Sequence, residues 1–315
     1  MCEVVVEGLP DAAQQGNQAG QLVSRLAQRL LAVRVSGGAA ALRSEIEDRR
    51  LGQTERADLR RWYRCNVFME RYSSAVESKS RKDYLEMTRH WFEGGPEPEV
   101  LHDARNIIGA PGFRVRSSAS YASAVYSGLF CLLALRNARD WRRGEDIRLQ
   151  ELQDHHIFPQ VYLKRHAITK RVDVNTVANR TLISDQTNGK IKAKAPATYL
   201  ADPEVFPSGA SEDLLAPHFI DARTRDLMEE AGEATAKEEV ADLYGRFLQA
   251  REAAMIEEIR RACGITLGKA EEPVETDEVA ADIEAGGTLF EELDGDLELE
   301  SDVDNLDVPA ASVGR

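Results

Sequence analysis

Apolar residues recur every three or four positions over most of this chain, and that spacing restricts it to a fold built mainly from helices. The spacing runs from about residue 18 to residue 135, and it returns after Pro217, most clearly between Val240 and Ile259. Residues 147–154 depart from it, because their apolar and polar positions partly alternate as they do in strands, and residues 179–184 also suit a strand. We therefore expect a mainly α protein with a small β insertion, α+β overall.

Two helices can be delimited in the first half of the chain. One is predicted from apolar and aromatic residues that share a helix face: Leu59, Trp62, Tyr63, Met69, Tyr72 and Val76. Residues 80–83 (Ser-Arg-Lys-Asp) resemble a capping box and predict the start of the next helix. That helix should end at Gly94, which Gly95 and Pro96 follow.

The alternating segment contains the sharpest local signals. A strand should end at His155 and His156, because Pro159 cannot continue a central strand. After a loop, residues 179–184 predict a second strand. A helix capped by Ser184 or Asp185 should follow, and Pro196 should open a further helical turn. The predicted order is strand, loop, strand, helix.

Adjacent histidines at a strand end suit the hydrolysis of a phosphodiester bond. Successive side chains of a strand point to opposite faces, so one imidazole can bind a metal ion while the other faces a water molecule. An imidazole with its ordinary pKa near 6.5 accepts a proton at neutral pH. A divalent cation stabilises the developing negative charge.

Several ordered blocks resemble the HNH (His-Me finger) nuclease module at the C-terminal end of GmrSD-type modification-dependent restriction endonucleases. They are Asp154-His155-His156-Ile157-Phe158-Pro159, Asn179-Arg180-Thr181-Leu182-Ile183-Ser184, Thr187-Asn188-Gly189-Lys190-Ile191 and Pro196-Ala197-Thr198-Tyr199-Leu200. The resemblance implies an embedded ββα-metal unit in which His156 is the general base and His155 and Asn188 bind the metal. It also implies that Asn179 braces the loop and orients His156. Two protein ligands leave room for water and phosphate oxygens, as one Mg²⁺ or Mn²⁺ ion requires.

A less specific resemblance to the helical region that precedes the nuclease in these enzymes covers residues 59–63, 70–74 and 82–84. The chain departs from the family at its start, where such enzymes usually carry a nucleotide-dependent domain with an Asp-Gly-Gln-Gln-Arg motif. Here residues 11–15 read only Asp-Ala-Ala-Gln-Gln. Three interpretations stay open: the C-terminal half of a split system that has a separate NTP-dependent subunit, a truncated gene product, or a free-standing nuclease.

Blander interpretations of the site residues stay open at this point. The two histidines could be ordinary strand-end residues with satisfied hydrogen bonds, Asn188 a turn residue before Gly189, and Asn179 a purely structural side chain. Residues 151–200 hold eight basic and four acidic side chains, a balance that attracts a phosphate backbone. The preferred phosphate contacts are three cations near the proposed metal: Arg180, Lys190 and Lys192. The alternative for each is a solvated surface charge.

Charge divides the chain unevenly. The formal net charge is −14, yet residues 270–315 hold 16 acidic side chains and one basic, whereas residues 1–269 hold 38 acidic and 39 basic. We expect four parts: a helical domain at 1–145, the nuclease module at 146–205, a helical segment at 206–268 that packs on the body, and an acidic disordered tail at 269–315. The tail could also mimic DNA and restrain the basic site.

The expected function is a divalent-metal-dependent DNA endonuclease that serves restriction or phage defence. A double-strand break would then need two sequential nicks or a homodimer, since one metal site cuts one strand. We expect no membrane association and a cytoplasmic location, because no long apolar run and no signal peptide is recognisable. The alternative is a catalytically silent DNA-binding or partner-binding subunit of a split restriction system.

Overall fold

The structure, a computed structural model, describes residues 52–118, 123–144 and 152–266. Their elements, in chain order, are α1 (Gln53–Phe68), α2 (Val76–Glu93), α3 (Glu99–Ile108), α4 (Ala124–Leu135), β1 (Leu152–His156), α5 (Gln160–Arg165), α6 (Arg171–Val174), β2 (Arg180–Ser184), α7 (Asp185–Ile191), α8 (Pro196–Leu200), α9 (Glu212–Leu215), α10 (Ala222–Glu233) and α11 (Lys237–Ala262). Three short 3-10 turns are Arg71–Ser73, Val177–Asn179 and Ala216–His218. The predicted mainly α, α+β class is confirmed. Residues 1–51, the start of the predicted first strand and the acidic tail lie outside the described residues.

A first hydrophobic core joins α1 to α4. Leu59, Met87, Leu101 and Leu129, one from each helix, are fully buried there. The C-terminal half of α11 completes this core with Met255 and other apolar side chains. The helical spacing in this part of the chain thus correctly indicated a buried helical body.

The boundary between α1 and α2 differs from the sequence prediction in two ways. α1 ends at Phe68, because the chain turns through left-handed conformations at Glu70 (φ 48°) and Ala75 (φ 52°). α2 then begins at Val76, so the predicted start at residues 80–83 is wrong. Asp83 is fully buried and binds Arg71 and the hydroxyl of Tyr72 instead of capping a helix. The predicted end is confirmed, with Gly94 at φ 66°.

A second core is built around aromatic rings. Trp141 stacks on Tyr199 and Phe206, with ring centroids 6.0 and 5.4 Å apart, and Phe158 packs on Phe247 at 4.8 Å. α8 and α10 approach closely at Gly232, where a Cβ atom would lie 2.5 Å from that of Ala197. The N-terminal half of α11 covers this core, so one long helix serves both.

The two strands form an antiparallel hairpin between the two cores. Leu182 of β2 belongs to the first core and the next residue, Ile183, to the second, because neighbouring side chains leave a strand on opposite faces. α7 packs on both strands. Ser184 caps α7 by accepting a hydrogen bond from the amide of Thr187, and Pro196 opens α8, both as predicted. Within the described residues, none of the helices is long and apolar enough to cross a bilayer.

Candidate functional site at the end of the hairpin

The strand register divides the candidate residues between two faces. Asp154 lies opposite Leu182, His155 opposite Thr181, and His156 opposite Arg180. Facing residues of an antiparallel pair share a side of the sheet. His156, Asp154 and Arg180 therefore share the side of the first core, and His155 shares the side of the second core with Thr181.

His155 lies on the side of the hairpin that α7 covers. Ile191 of α7 is buried in the second core, and Asn188 stands three residues before it, on the same face of the helix. Asn188 is partly buried. The fold thus brings His155 and Asn188 to one side of the hairpin, whereas His156 leaves from the other side at the strand end.

The His155 imidazole is neutral and incompletely satisfied. The side chain is 6% exposed, and burial lowers the pKa of His155 to about 4. Its Nε2 atom is buried and has no hydrogen-bond partner. A neutral imidazole with an unpartnered nitrogen fits a metal ligand, since metals bind the deprotonated ring. The described part of the chain has no group of three or more His, Cys, Asp or Glu side chains that could hold a metal. An ion here would therefore depend on His155, Asn188 and added oxygen ligands.

The His156 ring is held by residues from the loop between the strands. Its Nε2 lies 3.0 Å from Oδ1 of Asn175 and 3.2 Å from the amide nitrogen of Gln160, which itself donates to the same Oδ1 at 3.2 Å. Arg180 donates to the same Oδ1 at 2.9 Å. Because a guanidinium can only donate, Asn175 must present its oxygen, and His156 must then donate from Nε2. This tautomer leaves the Nδ1 lone pair available to accept a proton.

The charge state of His156 follows from its surroundings. Burial, with the positive charge of Arg180 as the next cause, lowers the pKa of His156 to about 4, although the hydrogen bond to Asn175 acts in the opposite direction. The ring is therefore neutral at neutral pH. A neutral ring can take up a proton, which a general base must do.

Arg180 is tied into the hairpin rather than extended into solvent. Its Nη1 pairs with Oδ2 of Asp154 at 3.2 Å, and its side chain is 12% exposed. The hydroxyl of Tyr126 on α4 also donates to Asp154. Two buried atoms of this pair have no hydrogen-bond partner, Oδ1 of Asp154 and Nε of Arg180. Arg180 therefore supports Asn175 in the folded protein. Its contact with a phosphate stays a prediction.

Asn179 clamps the chain that follows β1. It is fully buried, and its Oδ1 accepts from the amide of Phe158 at 2.8 Å. Its Nδ2 donates to the carbonyl oxygens of Phe158 (3.1 Å) and Val174 (3.0 Å). The side chain thus joins both ends of the inter-strand loop. It makes no hydrogen bond to the His156 ring, which Asn175 contacts directly.

The other two predicted phosphate contacts are on the surface. Lys190 pairs with Glu204 at 3.2 Å, and both side chains are exposed, so the pair is weak and easily exchanged. Lys192 is exposed at the end of α7, where its φ is 52°. The fold leaves Lys192 accessible to a polyanion.

Sequence reasoning missed a buried layer behind the hairpin. Asp140 accepts hydrogen bonds from the Ser184 amide (2.7 Å) and the Thr187 hydroxyl (2.8 Å), and thereby holds the start of α7. Burial raises the pKa of Asp140, but these hydrogen bonds outweigh it and the net shift is downward. His218 is fully buried and lies 2.7 Å from the Thr181 hydroxyl. Neither residue has a local motif that marks it, and Asn175 and Gln160 have none either.

Fold and site together define a mainly α, α+β protein with adjacent histidines at the end of a two-stranded hairpin. No family model and no solved structure matches the chain. An uncharacterized protein of Methanocaldococcus jannaschii is 31% identical over 210 residues, which amount to 63% of this chain and 36% of the relative. The chain thus spans about a third of that relative's length. Since the relative's name gives no activity, function has to be argued from the site itself.

Proposed function

We propose that this protein is a divalent-metal-dependent endonuclease of the HNH (His-Me finger) type, which hydrolyses DNA phosphodiester bonds in defence against foreign or modified DNA. The supporting arrangement is a hairpin with adjacent histidines at its strand end, followed by a helix that carries Asn188 on the side of His155. The resemblance of the sequence blocks to this class points the same way.

One observation carries the proposal. Three buried polar atoms without hydrogen-bond partners lie near the end of the hairpin. Nε2 of His155 is on the side that α7 covers, and Oδ1 of Asp154 and Nε of Arg180 are on the opposite side. Each such atom costs about 1–3 kcal/mol in a protein interior. A fold keeps such a concentration where a ligand or ordered water satisfies the atoms, and functional sites are the common case. A metal ion would supply the partner of the His155 nitrogen, and a phosphate oxygen would accept from the Nε–H of Arg180.

His156 takes the proton of the attacking water in this proposal. Nδ1 is the accepting atom, because Asn175 occupies Nε2. Burial is the main cause of the lowered pKa of His156, about 4, and the positive charge of Arg180 is the second cause. A phosphate beside Arg180 would offset that second cause. Substrate binding therefore raises the basicity of His156 at the point where it is needed.

His155 and Asn188 are the residues that would hold the Mg²⁺ or Mn²⁺ ion. When bound, the metal supplies stabilisation of the negative charge on the phosphate and the departing oxygen. The protein contributes a neutral, preformed ligand in His155. It also contributes a helix that is fixed to the hairpin through Asp140 and Thr187.

The test is nicking of supercoiled plasmid by the full chain. Activity should appear with Mg²⁺ or Mn²⁺ and vanish with chelator, and His156→Ala should lower the rate by about 10²–10⁴-fold, the range of general base catalysis. His102→Ala is the matched control, because His102 is an exposed histidine of α3. Full activity in His156→Ala would remove this residue from the mechanism.

Substrate choice belongs in the same assay. Unmodified, glucosylated and phosphorothioated DNA should be compared, since the proposal includes a preference for foreign or modified DNA. If wild-type protein binds DNA and cleaves none of these substrates with either metal, the proposal fails and a silent binding subunit replaces it.

A further inference from the structure

The connection between the two strands carries four exposed cations. Lys164 and Arg165 end α5, while Lys170 precedes α6 and Arg171 opens it. We call these four residues the basic face. In the described part of the chain, no ion pair or hydrogen bond engages any of their side chains. Asp173 is the single carboxylate between residues 160 and 174.

Cations elsewhere in the protein are often neutralised. Arg71 pairs with Asp83 and Arg136 with Glu258 in the helical body. Among the predicted phosphate contacts, Arg180 pairs with Asp154 and Lys190 with Glu204. Among the residues that the structure describes, the basic face thus places four unpaired cations on the inter-strand connection, in addition to the exposed Lys192 at the end of α7.

The basic face is rigidly mounted. The hydroxyl of Tyr162 on α5 donates to the carbonyl of Ala231, and that of Tyr244 on α11 donates to the carbonyl of Asp173 at 2.7 Å. Leu163 and Val174 are buried beneath the surface. Because the backbone of this surface is already fixed, a ligand would lose little free energy by ordering it, and this favours binding.

Both ends of this connection touch the His156 ring. Gln160, the first residue of α5, and Asn175, which follows α6, lie 3.2 and 3.0 Å from Nε2. Lys164 stands one helical turn beyond Gln160, a rise of about 6 Å. A DNA backbone with one phosphate at His156 would therefore have neighbouring phosphates near the basic face, since duplex DNA carries a charge per about 1.7 Å of axis.

The helix dipole explains the positions of only two of the four cations of the basic face. Lys164 and Arg165 are favoured at the end of a helix by the helix dipole, but Lys170 and Arg171 stand where a helix begins, which disfavours cations. Two apolar side chains on the same connection, Val161 and Val172, are 50% and 59% exposed. A polyanion bound to this connection would account for the placement of Lys170 and Arg171.

We propose that the basic face docks the phosphate backbone of duplex DNA and fixes the path by which the strand reaches His156. The proposal rests on the proposed function in one respect, because it takes His156 to mark the cleaved phosphate. The binding itself needs no metal and no chemistry. It is therefore measurable without cleavage.

The experiment is fluorescence anisotropy of a labelled DNA duplex with the full chain in EDTA, over a series of NaCl concentrations. Two double variants remove the basic face in halves, Lys164→Ala with Arg165→Ala and Lys170→Ala with Arg171→Ala. Each should reduce the slope of log K against log [NaCl] by about 1.8, since each phosphate contact contributes about 0.9. The matched control is Arg81→Ala with Arg89→Ala, two exposed arginines of α2.

Unchanged slopes in both test variants would overturn the proposal, and so would an equal reduction in the control. Binding of the wild type to phosphatidylserine vesicles without binding to DNA would assign the face to another partner and also overturn it. Reduced slopes in a protein that shows no nicking with either metal would support the basic face as a DNA contact and contradict the proposed nuclease function. Metal-dependent nicking with unchanged slopes would support the nuclease function and contradict the role of the basic face.

Discussion

Replacing Asn179 by alanine tests how the hairpin is held together. Asn179 is fully buried and makes three hydrogen bonds to the backbone of Phe158 and Val174. Alanine removes all three and leaves an amide and two carbonyl groups without these partners. At about 1 kcal/mol for each lost bond, and more for a group left unpaired, the free energy of unfolding should fall by about 3–5 kcal/mol.

Urea unfolding followed by circular dichroism measures this loss, with the midpoint falling and the slope m staying constant. Asn175→Ala is the matched control, because Asn175 is only partly buried and its partners Arg180 and Gln160 have other contacts or reach solvent. Asn175 also accepts three hydrogen bonds, but in a partly exposed position, so its loss should cost about 1–2 kcal/mol, less than the loss of Asn179. A loss below about 1 kcal/mol for Asn179→Ala, or an equal loss for both variants, would refute the assignment of Asn179 as the clamp.

Three further predictions follow from the same geometry. Asn175→Ala should lower kcat for plasmid nicking by about a hundredfold with little change in KM, because the His156 ring loses its orientation; a change confined to KM would contradict this. His218→Asn should weaken the fall in unfolding free energy at acid pH. Burial lowers the pKa of His218 to about 3 in the folded protein. Below its ordinary pKa of 6.5 only the unfolded state binds the extra proton, so the stability of the wild type falls as pH falls. The difference in unfolding free energy between variant and wild type should change by about 2.3 kcal/mol between pH 6.5 and 4.5, with a slope that approaches about 1.4 kcal/mol per pH unit at the acid end. Urea unfolding measures this difference, and a constant value would exclude His218 as the cause. Removing residues 270–315 should raise DNA affinity at low salt if their 16 carboxylates compete with phosphate, and unchanged affinity would discard that role.

Local signals in the sequence predicted much of the fold. The second strand was expected at 179–184 and runs from Arg180 to Ser184, and the helices that follow begin at the predicted Ser184 cap and at Pro196. The apolar residues that recur every three or four positions between Val240 and Ile259 predicted α11. In each case the deciding interactions lie within a few residues along the chain, so a sequence pattern contains them.

The start of α2 was not predictable in this way. Residues 80–83 have the form of a helix start, but Asp83 is drawn inside by Arg71 and Tyr72, which reach it from the preceding turn. Buried charge needs a partner, and that requirement outweighed the local capping preference. The helix therefore begins earlier, at Val76.

Site residues divide by the same criterion. The position of His155 and His156 at the end of β1 was predicted correctly, because Pro159 and the alternation of the preceding residues are local signals. The surroundings of His156 depend on Asn175, which stands in an irregular loop with no periodic pattern. Likewise, Asp140 reaches Ser184 from 44 positions away along the chain. Tertiary packing decides such contacts, so they become visible only in the folded protein.

The hairpin depends on that packing for its existence as well as for its polar contacts. A two-stranded hairpin is marginal in water, and this one persists because each face is covered by a different core. Arg251 of α11, fully buried, adds a second restraint: it donates to the carbonyl oxygens of Ala178 (2.6 Å) and His218 (2.9 Å). Burial lowers the pKa of Arg251 to about 9, which shows the cost of placing a cation there without a carboxylate partner. The chain that leads into β2 is thus fixed by α11, a helix far along the chain that begins at Lys237. The histidine pair owes its geometry to both cores rather than to the strand–strand–helix segment alone.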